Sequence, residues 1–246
     1  MKSQRFLRLL TMCVSAALVC SCEKAAVVES SGPAPSDRYV TGPGVVKGKV
    51  SFPGTPPVMK ELKNDQCCEG AKPLKEETIV VGPDGGLANC FVWIEGIGPA
   101  APRGESPTID QVFCQYIPHA VGVAVGQKLT VKSSDPIIHN VNFKGEKNSQ
   151  INFGMTDAGQ SKRVSFGKPE IMPLKCDVHP WMLSYVGVFE NSYFAVTKPD
   201  GRFEIKEIPE GNYKLIAWHE LYGTQEQPIT VTKTPVEMNF SYAPKP

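Results

Sequence analysis

The stretch Leu174-Lys-Cys-Asp-Val-His-Pro-Trp-Met-Leu183 carries Cys176, His179 and Met182 at a spacing of Cys-x-x-His-x-x-Met. A thiolate, an imidazole and a thioether are the soft and borderline ligands that copper selects. Pro180 favours a tight turn, which would let the three side chains converge where a strand ends. A second imidazole would complete the ligand set, and it must come from another part of the chain.

Composition and charge favour a β protein and do not suggest that it binds nucleic acid. The 246 residues leave room for one large or two small domains, and the formal net charge is only +1 with acids and bases interspersed. Such a balance does not suggest a surface for nucleic acid or acidic lipid. Valine, isoleucine, glycine and proline recur while helical periodicity is nearly absent, so the predicted fold class is all-β.

Residues 1–21 are predicted to be a signal peptide. Lys2, Arg5 and Arg8 form a basic start, and the apolar run over 9–20 is too short to span a bilayer comfortably. The following Val19-Cys20-Ser21-Cys22 resembles a bacterial lipobox, which implies that Cys22 becomes the lipidated first residue of the mature chain. Ordinary signal cleavage near this point is the alternative.

Both interpretations place the mature protein outside the cytoplasm, in the cell envelope or periplasm. Glu23 rather than aspartate follows Cys22, which argues against retention at the inner membrane and favours a lipid anchor in the outer membrane. Residues 22–44 are polar and rich in Ser, Pro and Gly, so we expect a flexible tether between lipid and folded domain.

The remaining cysteines are odd in number, namely Cys67, Cys68, Cys90, Cys114 and Cys176. If Cys176 is reserved as a metal ligand, the other four can form disulfides in an oxidising compartment. A bond between the adjacent Cys67 and Cys68 would be strained, so we expect one of them to pair with Cys90 and the other with Cys114. The alternative is that all four stay reduced.

The C-terminal part reads as regular short strands with Pro-Asp-Gly and Pro-Glu-Gly turns. Thr197-x-x-Asp-Gly-Arg-Phe-Glu-Ile205 and Pro209-x-Gly-x-Tyr-Lys-Leu215 resemble the carboxypeptidase regulatory-like β-sandwich, and Gly44-Val-Val-Lys-Gly-Lys-Val50 resembles its first strand. The resemblance implies one small sandwich built from residues 45–97 and 191–246, with residues 98–190 inserted as a second domain. Two domains in series and one merged sandwich are the alternatives.

The inserted segment contains the missing imidazole, in Asp135-Pro-Ile-Ile-His139-Asn-Val-Asn-Phe143. His139-Asn-Val together with Cys176-x-x-His179-Pro-Trp-Met182 resembles the cupredoxins, the small blue copper proteins, and the short loop is most similar to that of amicyanin. The resemblance covers about residues 108–190 and implies a Greek-key β-sandwich with one type 1 copper ion. Its ligands would be His139, Cys176 and His179, with Met182 in a long axial position.

The same resemblance assigns further roles around the copper ion. The backbone N–H of Asn140 would donate to the copper thiolate. The edge of His179 would be the electron port, with Pro180 and Trp181 as an apolar rim for redox protein partners. This sequence departs from many cupredoxins at Leu174, where an aromatic residue is usual, and at Pro173, which removes a ladder donor.

Other interpretations of these residues are weaker. A zinc site would want a fourth Cys, His or carboxylate in place of methionine, and a binuclear copper site would need a second cysteine in the loop. His119 and His219 are expected to be structural, although together they could form a second metal site. The sequence shows neither a nucleophile beside a base nor paired carboxylates, and four protein ligands leave no position for a substrate, so we predict no enzymatic activity.

The sequence therefore predicts an envelope-anchored type 1 copper protein that transfers single electrons between redox proteins. Two alternatives stay open: a copper storage or delivery protein, and a non-redox binding sandwich in which the cupredoxin part is structural.

Overall fold

The computed structural model describes residues 28–29, 41–62 and 74–243, and confirms the all-β prediction. The described part consists of strands, turns and loops, and contains no helix long and apolar enough to cross a membrane. Cys22, Cys67, Cys68 and the predicted signal peptide lie outside the described residues.

The strands are, in chain order, β1 (Val28–Glu29), β2 (Gly44–Ser51), β3 (Phe91–Glu95), β4 (Thr108–Val112), β5 (Gln115–Ile117), β6 (Ala120–Ala124), β7 (Leu129–Ser133), β8 (His139–Phe143), β9 (Ile151–Met155), β10 (Ser161–Ser165), β11 (Glu170–Lys175), β12 (Leu183–Phe189), β13 (Phe194–Val196), β14 (Arg202–Ile208), β15 (Gly211–His219), β16 (Gly223–Val231), β17 (Val236–Glu237) and β18 (Phe240–Ser241).

The middle of the chain forms two five-stranded sheets, in the orders β1-β10-β7-β4-β5 and β6-β12-β11-β8-β9. Alternate residues of their strands are buried, as in β7, where Leu129 and Val131 have no exposed surface. Side chains from both sheets, among them Ile109, Val141 and Leu174, form one hydrophobic core. The two sheets thus pack as a sandwich, because each has one apolar face to bury.

The strands before and after this sandwich in sequence pair with one another. β3 lies between β13 and β15 in the sheet β13-β3-β15-β16, and β2 lies between β14 and β17 in a second sheet, with β18 also paired to β2. Their inward residues form a separate core that includes Val46, Leu87 and Leu215. We call the sandwich in the middle of the chain the first sandwich, and this one the second sandwich. The boundaries 45–97, 98–190 and 191–246 remain a prediction, but the pairing of early with late strands is what an inserted segment requires.

A third apolar cluster joins the two sandwiches, with Phe91 from one and Phe189 from the other at its centre. The ring of Phe189 stacks on Phe194 at 4.7 Å between centroids. A Cβ on Gly122 would lie 2.4 Å from the Phe194 ring, so the missing side chain lets the sheets approach closely. The orientation of one sandwich on the other is therefore set by aromatic packing against a glycine.

Part of the predicted tether is paired with the first sandwich. β1 runs parallel to β10, with Val28 opposite Val164 and Glu29 opposite Ser165. β10 would otherwise be an edge strand with unpaired backbone N–H and C=O groups, which explains why an extended segment adds to it.

The cysteines differ from the predicted disulfide pairing. Among the described residues, Cys90 and Cys114 each carry a thiol and have no exposed surface. Cys90 lies in the core of the second sandwich and Cys114 in that of the first, so each is enclosed by its own apolar neighbours. Burial raises the pKa of Cys90 to about 12, which suits an inert structural thiol. Cys90 and Cys114 therefore follow the alternative prediction, in which the cysteines stay reduced.

Candidate metal centre

Two neighbouring strands carry the predicted ligands to one end of the first sandwich. β8 begins at His139, and β11 ends one residue before Cys176. β11 pairs antiparallel with β8, Lys175 opposite Asn142, so Cys176 follows at the end of β8 where His139 lies. The loop then turns tightly, because the Met182 N–H donates to the His179 carbonyl at 2.9 Å.

The structure brings His139, Cys176 and His179 together, with one ligand atom from each within 4.8 Å of the others. The Nδ1 atoms of the two histidines are 3.0 Å apart, and Cys176 Sγ is 3.8 Å from His179 Nδ1. Two nitrogens and a sulfur bound at about 2.0–2.3 Å to one ion in a plane would be about 3.5–3.8 Å apart. The donor set therefore fits a trigonal copper ion after a shift of about half an ångström between the imidazoles.

All of these side chains are shielded from solvent. His139 has no exposed surface, and Cys176 and His179 are 3% and 7% exposed. Met182 is 1% exposed and belongs to the same hydrophobic core as Cys176. The Met182 backbone is bonded to those of His179 and Cys176, so this buried side chain belongs to the same loop as two of the predicted ligands.

The Cys176 sulfur is surrounded by hydrogen-bond donors. The backbone N–H groups of Asn140 and His179 both point at it from 3.3 Å. Burial alone would raise the pKa of the thiol, but the hydrogen bonds from His139 and from these N–H groups outweigh it and lower the pKa of Cys176. The site thus favours the thiolate, which is the metal-binding form. The Asn140 contact is the one that the cupredoxin resemblance assigns to this residue.

Sequence reasoning missed a central residue, Asp135. Its carboxylate accepts from the backbone N–H of Phe113 at 2.7 Å and of Cys114 at 2.9 Å, and it lies 2.8 Å from Nε2 of His139. A carboxylate on the second ring nitrogen fixes the tautomer and orientation of a metal-binding histidine. The signal was its position four residues before His139, in the segment interpreted only as the source of the second imidazole.

Asp135 also holds an unusual hairpin turn. Phe113 and Cys114 connect β4 to β5 and have φ angles of 52° and 54°, the left-handed region that non-glycine residues rarely adopt. Positive φ at both central residues defines a type I′ turn, which is normally made by Asn-Gly. The two N–H groups bound to Asp135 are those of this turn, so one buried carboxylate positions both the turn and the His139 ring.

Two aromatic side chains tie the surrounding loops together. The hydroxyl of Tyr116 donates to the carbonyl groups of Asn140 and Lys175, which lie on the two ligand-bearing strands. The indole Nε1–H of Trp181 donates to the Cys114 carbonyl at 3.1 Å, and its ring lies 5.2 Å from the His179 ring. Trp181, predicted as a rim residue, is therefore half-buried and hydrogen-bonded, whereas Pro180 is exposed.

Three large apolar side chains are exposed beside the centre. Phe113, Ile138 and Val178 are 54%, 51% and 47% exposed, and each directly precedes Cys114, His139 or His179. With Pro180 they form what we call the apolar end face. Exposed apolar side chains gathered in one place are typical of contact surfaces.

The two other histidines lie in different surroundings. Nε2 of His119 is 2.5 Å from Glu220 Oε1. His219 has no exposed surface and packs against the rings of Tyr222 and Tyr242, which stack on each other. Its pKa is lowered to about 4 by burial and by His119. His219 is thus a neutral core residue, as predicted, and does not join His119 in a shared ligand set.

Comparison with known proteins gives structural likenesses only. No family model and no curated protein matches the chain. A Cu-containing nitrite reductase from Thermus scotoductus SA-01 matches 39% of this chain and 25% of its own, with a TM-score of 0.32 and 18% identity. The Cu(I) form of an amicyanin mutant matches 39% of this chain and 97% of its own, with a TM-score of 0.31 and 22% identity. A purple cupredoxin from Nitrosopumilus maritimus aligns over 34% of this chain and 99% of its own length, with a TM-score of 0.29 and 20% identity.

Proposed function

We propose that this chain binds one copper ion through His139, Cys176 and His179, with Met182 as axial ligand, and passes single electrons between redox proteins of the cell envelope. The convergence of one buried thiol and two imidazole nitrogens, with N–H donors on the sulfur, is the observation that carries the proposal. A copper ion in such a set supplies a one-electron couple without preferring the geometry of either oxidation state.

The protein's contribution is to hold the ligands still. His139 and Cys176 are fixed by neighbouring strands, and Tyr116 bridges those strands through two carbonyl groups. Asp135 orients His139 from behind. Because these groups are packed and hydrogen-bonded in advance, little of the protein has to move when the charge of the centre changes.

The apolar end face is the proposed docking surface for redox partners. His179 is carried by the loop at this end and is almost completely covered, so a partner would have to approach through Phe113, Ile138, Val178 and Pro180. An apolar contact allows brief association, since it needs no specific set of ion pairs to break.

Four protein ligands would leave no coordination position for a substrate, so we infer an electron carrier rather than an enzyme at this centre. We further propose export and a lipid anchor at Cys22, in the outer membrane, with the regulatory-like sandwich acting as scaffold or docking platform. A Cys22→Ala variant should appear in the soluble periplasmic fraction, and continued membrane association would contradict the anchor.

Protein-film voltammetry of the copper-loaded protein tests the electron-carrier function. We expect a reversible one-electron wave, which Cys176→Ser abolishes and Cys90→Ser leaves in place, because Cys90 lies in the other core. Stable Cu(I) binding without a reversible wave would favour storage or delivery instead. Absence of copper binding would leave the non-redox binding sandwich.

A further inference from the structure

A cavity of about 590 Å³ lies against the copper loop. Trp181 and Met182 line one side, and the segments 60–62 and 75–78 line the other. His119, on the connection between β5 and β6, also lines this cavity. Neither His119 nor the charged residues in segments 60–62 and 75–78 have a role in the proposed electron transfer.

His119 is held in a defined orientation by a buried carboxylate. Its side chain is 6% exposed and that of Glu220 is 8% exposed, and Nε2 lies 2.5 Å from Glu220 Oε1. The ring of Tyr185 packs against the imidazole at 6.1 Å between centroids. A carboxylate bonded to one ring nitrogen orients the imidazole, and proteins use this arrangement to position a histidine whose other nitrogen binds a metal.

Glu77 stands at the other ring nitrogen. Its Oε2 is 3.8 Å from His119 Nδ1, beyond hydrogen-bonding distance. Two atoms this far apart, each about 2.1 Å from one ion, subtend an angle of about 130° at it, and a shift of about 0.4 Å gives the tetrahedral value. The gap between the two groups therefore has the size of a shared metal ion.

The electrostatic surroundings agree with a cation in this gap. Burial raises the pKa of Glu77, His119 opposes this effect, and Glu220 adds to it. Perturbed carboxylates in clefts are typical of functional sites. Of the other charged residues of the cavity wall, Glu61 and Glu76 are acidic and Lys60 and Lys75 are basic, so they cancel and the negative charge of Glu77 and Glu220 remains.

We propose that His119 Nδ1 and Glu77 Oε2 bind one Zn²⁺ ion at the wall of the cavity. Glu220 is the positioning residue for the imidazole. Imidazole nitrogen and carboxylate oxygen are both common zinc donors. This ion would be separate from the copper of the Cys176 centre, and its binding does not depend on that centre being a redox site.

Titration of the purified, copper-loaded, untagged protein with Zn²⁺ tests the site. We expect one zinc ion to bind per chain, by calorimetry and by metal analysis after gel filtration, without loss of the copper. Glu77→Gln should weaken zinc binding at least tenfold, and Glu220→Gln should weaken it about 10- to 100-fold through the released imidazole. Glu76→Gln is the matched control, since it removes the adjacent cavity-wall carboxylate, and it should change the affinity less than twofold.

Two results would overturn the proposal. One is a wild-type protein that takes up no zinc while its Cys176 centre stays intact. The other is an equal loss of affinity in Glu77→Gln and Glu76→Gln, which would mean that zinc binds to surface carboxylates in general. Because the comparison is between variants in the same cavity, it gives an answer even if the Cys176 centre proves not to be a redox site.

Discussion

Removal of the Asp135 carboxylate should disturb the fold and the metal centre together. The residue is 6% exposed and lies between the β4–β5 turn and the His139 ring. In Asp135→Ala, the N–H groups of Phe113 and Cys114 lose their acceptor while the backbone stays at positive φ. The His139 imidazole loses the group that fixes its tautomer.

The lost hydrogen bonds give the expected decrease in the free energy of unfolding. Each hydrogen bond to a charged group is worth about 1.5–3 kcal/mol, so two lost N–H bonds lower the free energy of unfolding by about 3–6 kcal/mol. Asp135→Asn keeps one acceptor oxygen, and we expect about half of that loss. Loss of the partner of a ligand histidine should also weaken copper binding about 10- to 100-fold.

Urea unfolding of the copper-free protein measures the first effect, and competition with a copper chelator measures the second. Asp157→Ala is the control, because Asp157 lies in the same sandwich but is exposed, and within the described ranges its side chain is hydrogen-bonded to its neighbours Thr156 and Gln160. Asp157→Ala should lower the free energy of unfolding by less than about 1 kcal/mol. Equal losses in Asp135→Ala and Asp157→Ala, or an unchanged copper affinity in Asp135→Ala, would refute the role assigned to Asp135.

Three further variants test other parts of the structure. The pKa of His219 falls from 6.5 to about 4 on folding, so between these values the unfolded chain binds more protons and the free energy of unfolding decreases as pH falls. In His219→Gln, the decrease in unfolding free energy between pH 7 and pH 4, measured by unfolding curves, should be smaller by up to about 3 kcal/mol. In Gly48→Ala the new Cβ would lie 1.7 Å from the Met238 carbonyl oxygen. This clash should lower the melting temperature by an amount equivalent to more than about 2 kcal/mol. The control is Gly98→Ala, whose Cβ meets no described atom within 4 Å and which should leave the melting temperature nearly unchanged. Tyr116→Phe should cost about 1 kcal/mol in the same assay, and an unaltered melting temperature would show that its hydroxyl does not tie the ligand strands together.

The residues that the sequence could identify are those whose spacing is local. Cys176, His179 and Met182 lie in one loop, so their convergence depends only on a turn that Pro180 favours. His139 could be added because His139-Asn-Val, taken together with the Cys176 loop, resembles the cupredoxin motifs. The recurrence of valine and isoleucine without helical periodicity likewise predicted the all-β class.

The partners that sequence reasoning missed depend on long-range packing. The contact of Asp135 with His139 is local, but the β4–β5 turn that holds the Asp135 carboxylate lies 21 and 22 residues earlier in the chain. Glu220 reaches His119 across 101 residues and across the contact between the two sandwiches. The disulfide expectation assumed that Cys67 and Cys68 would reach Cys90 and Cys114, but Cys90 and Cys114 are buried in the cores as thiols, and Cys67 and Cys68 lie outside the described residues. Parity of cysteine number contains no information on such placement.

The optical and electron paramagnetic resonance spectra of the mature protein loaded with one equivalent of Cu(II) test the central claim most directly. We predict an intense blue or green thiolate-to-copper charge-transfer band with the narrow copper hyperfine splitting of a type 1 site, both lost in Cys176→Ser and retained in Cys90→Ser. A colourless protein that binds Cu(II) with an ordinary spectrum, or that prefers zinc at Cys176, would contradict the claim.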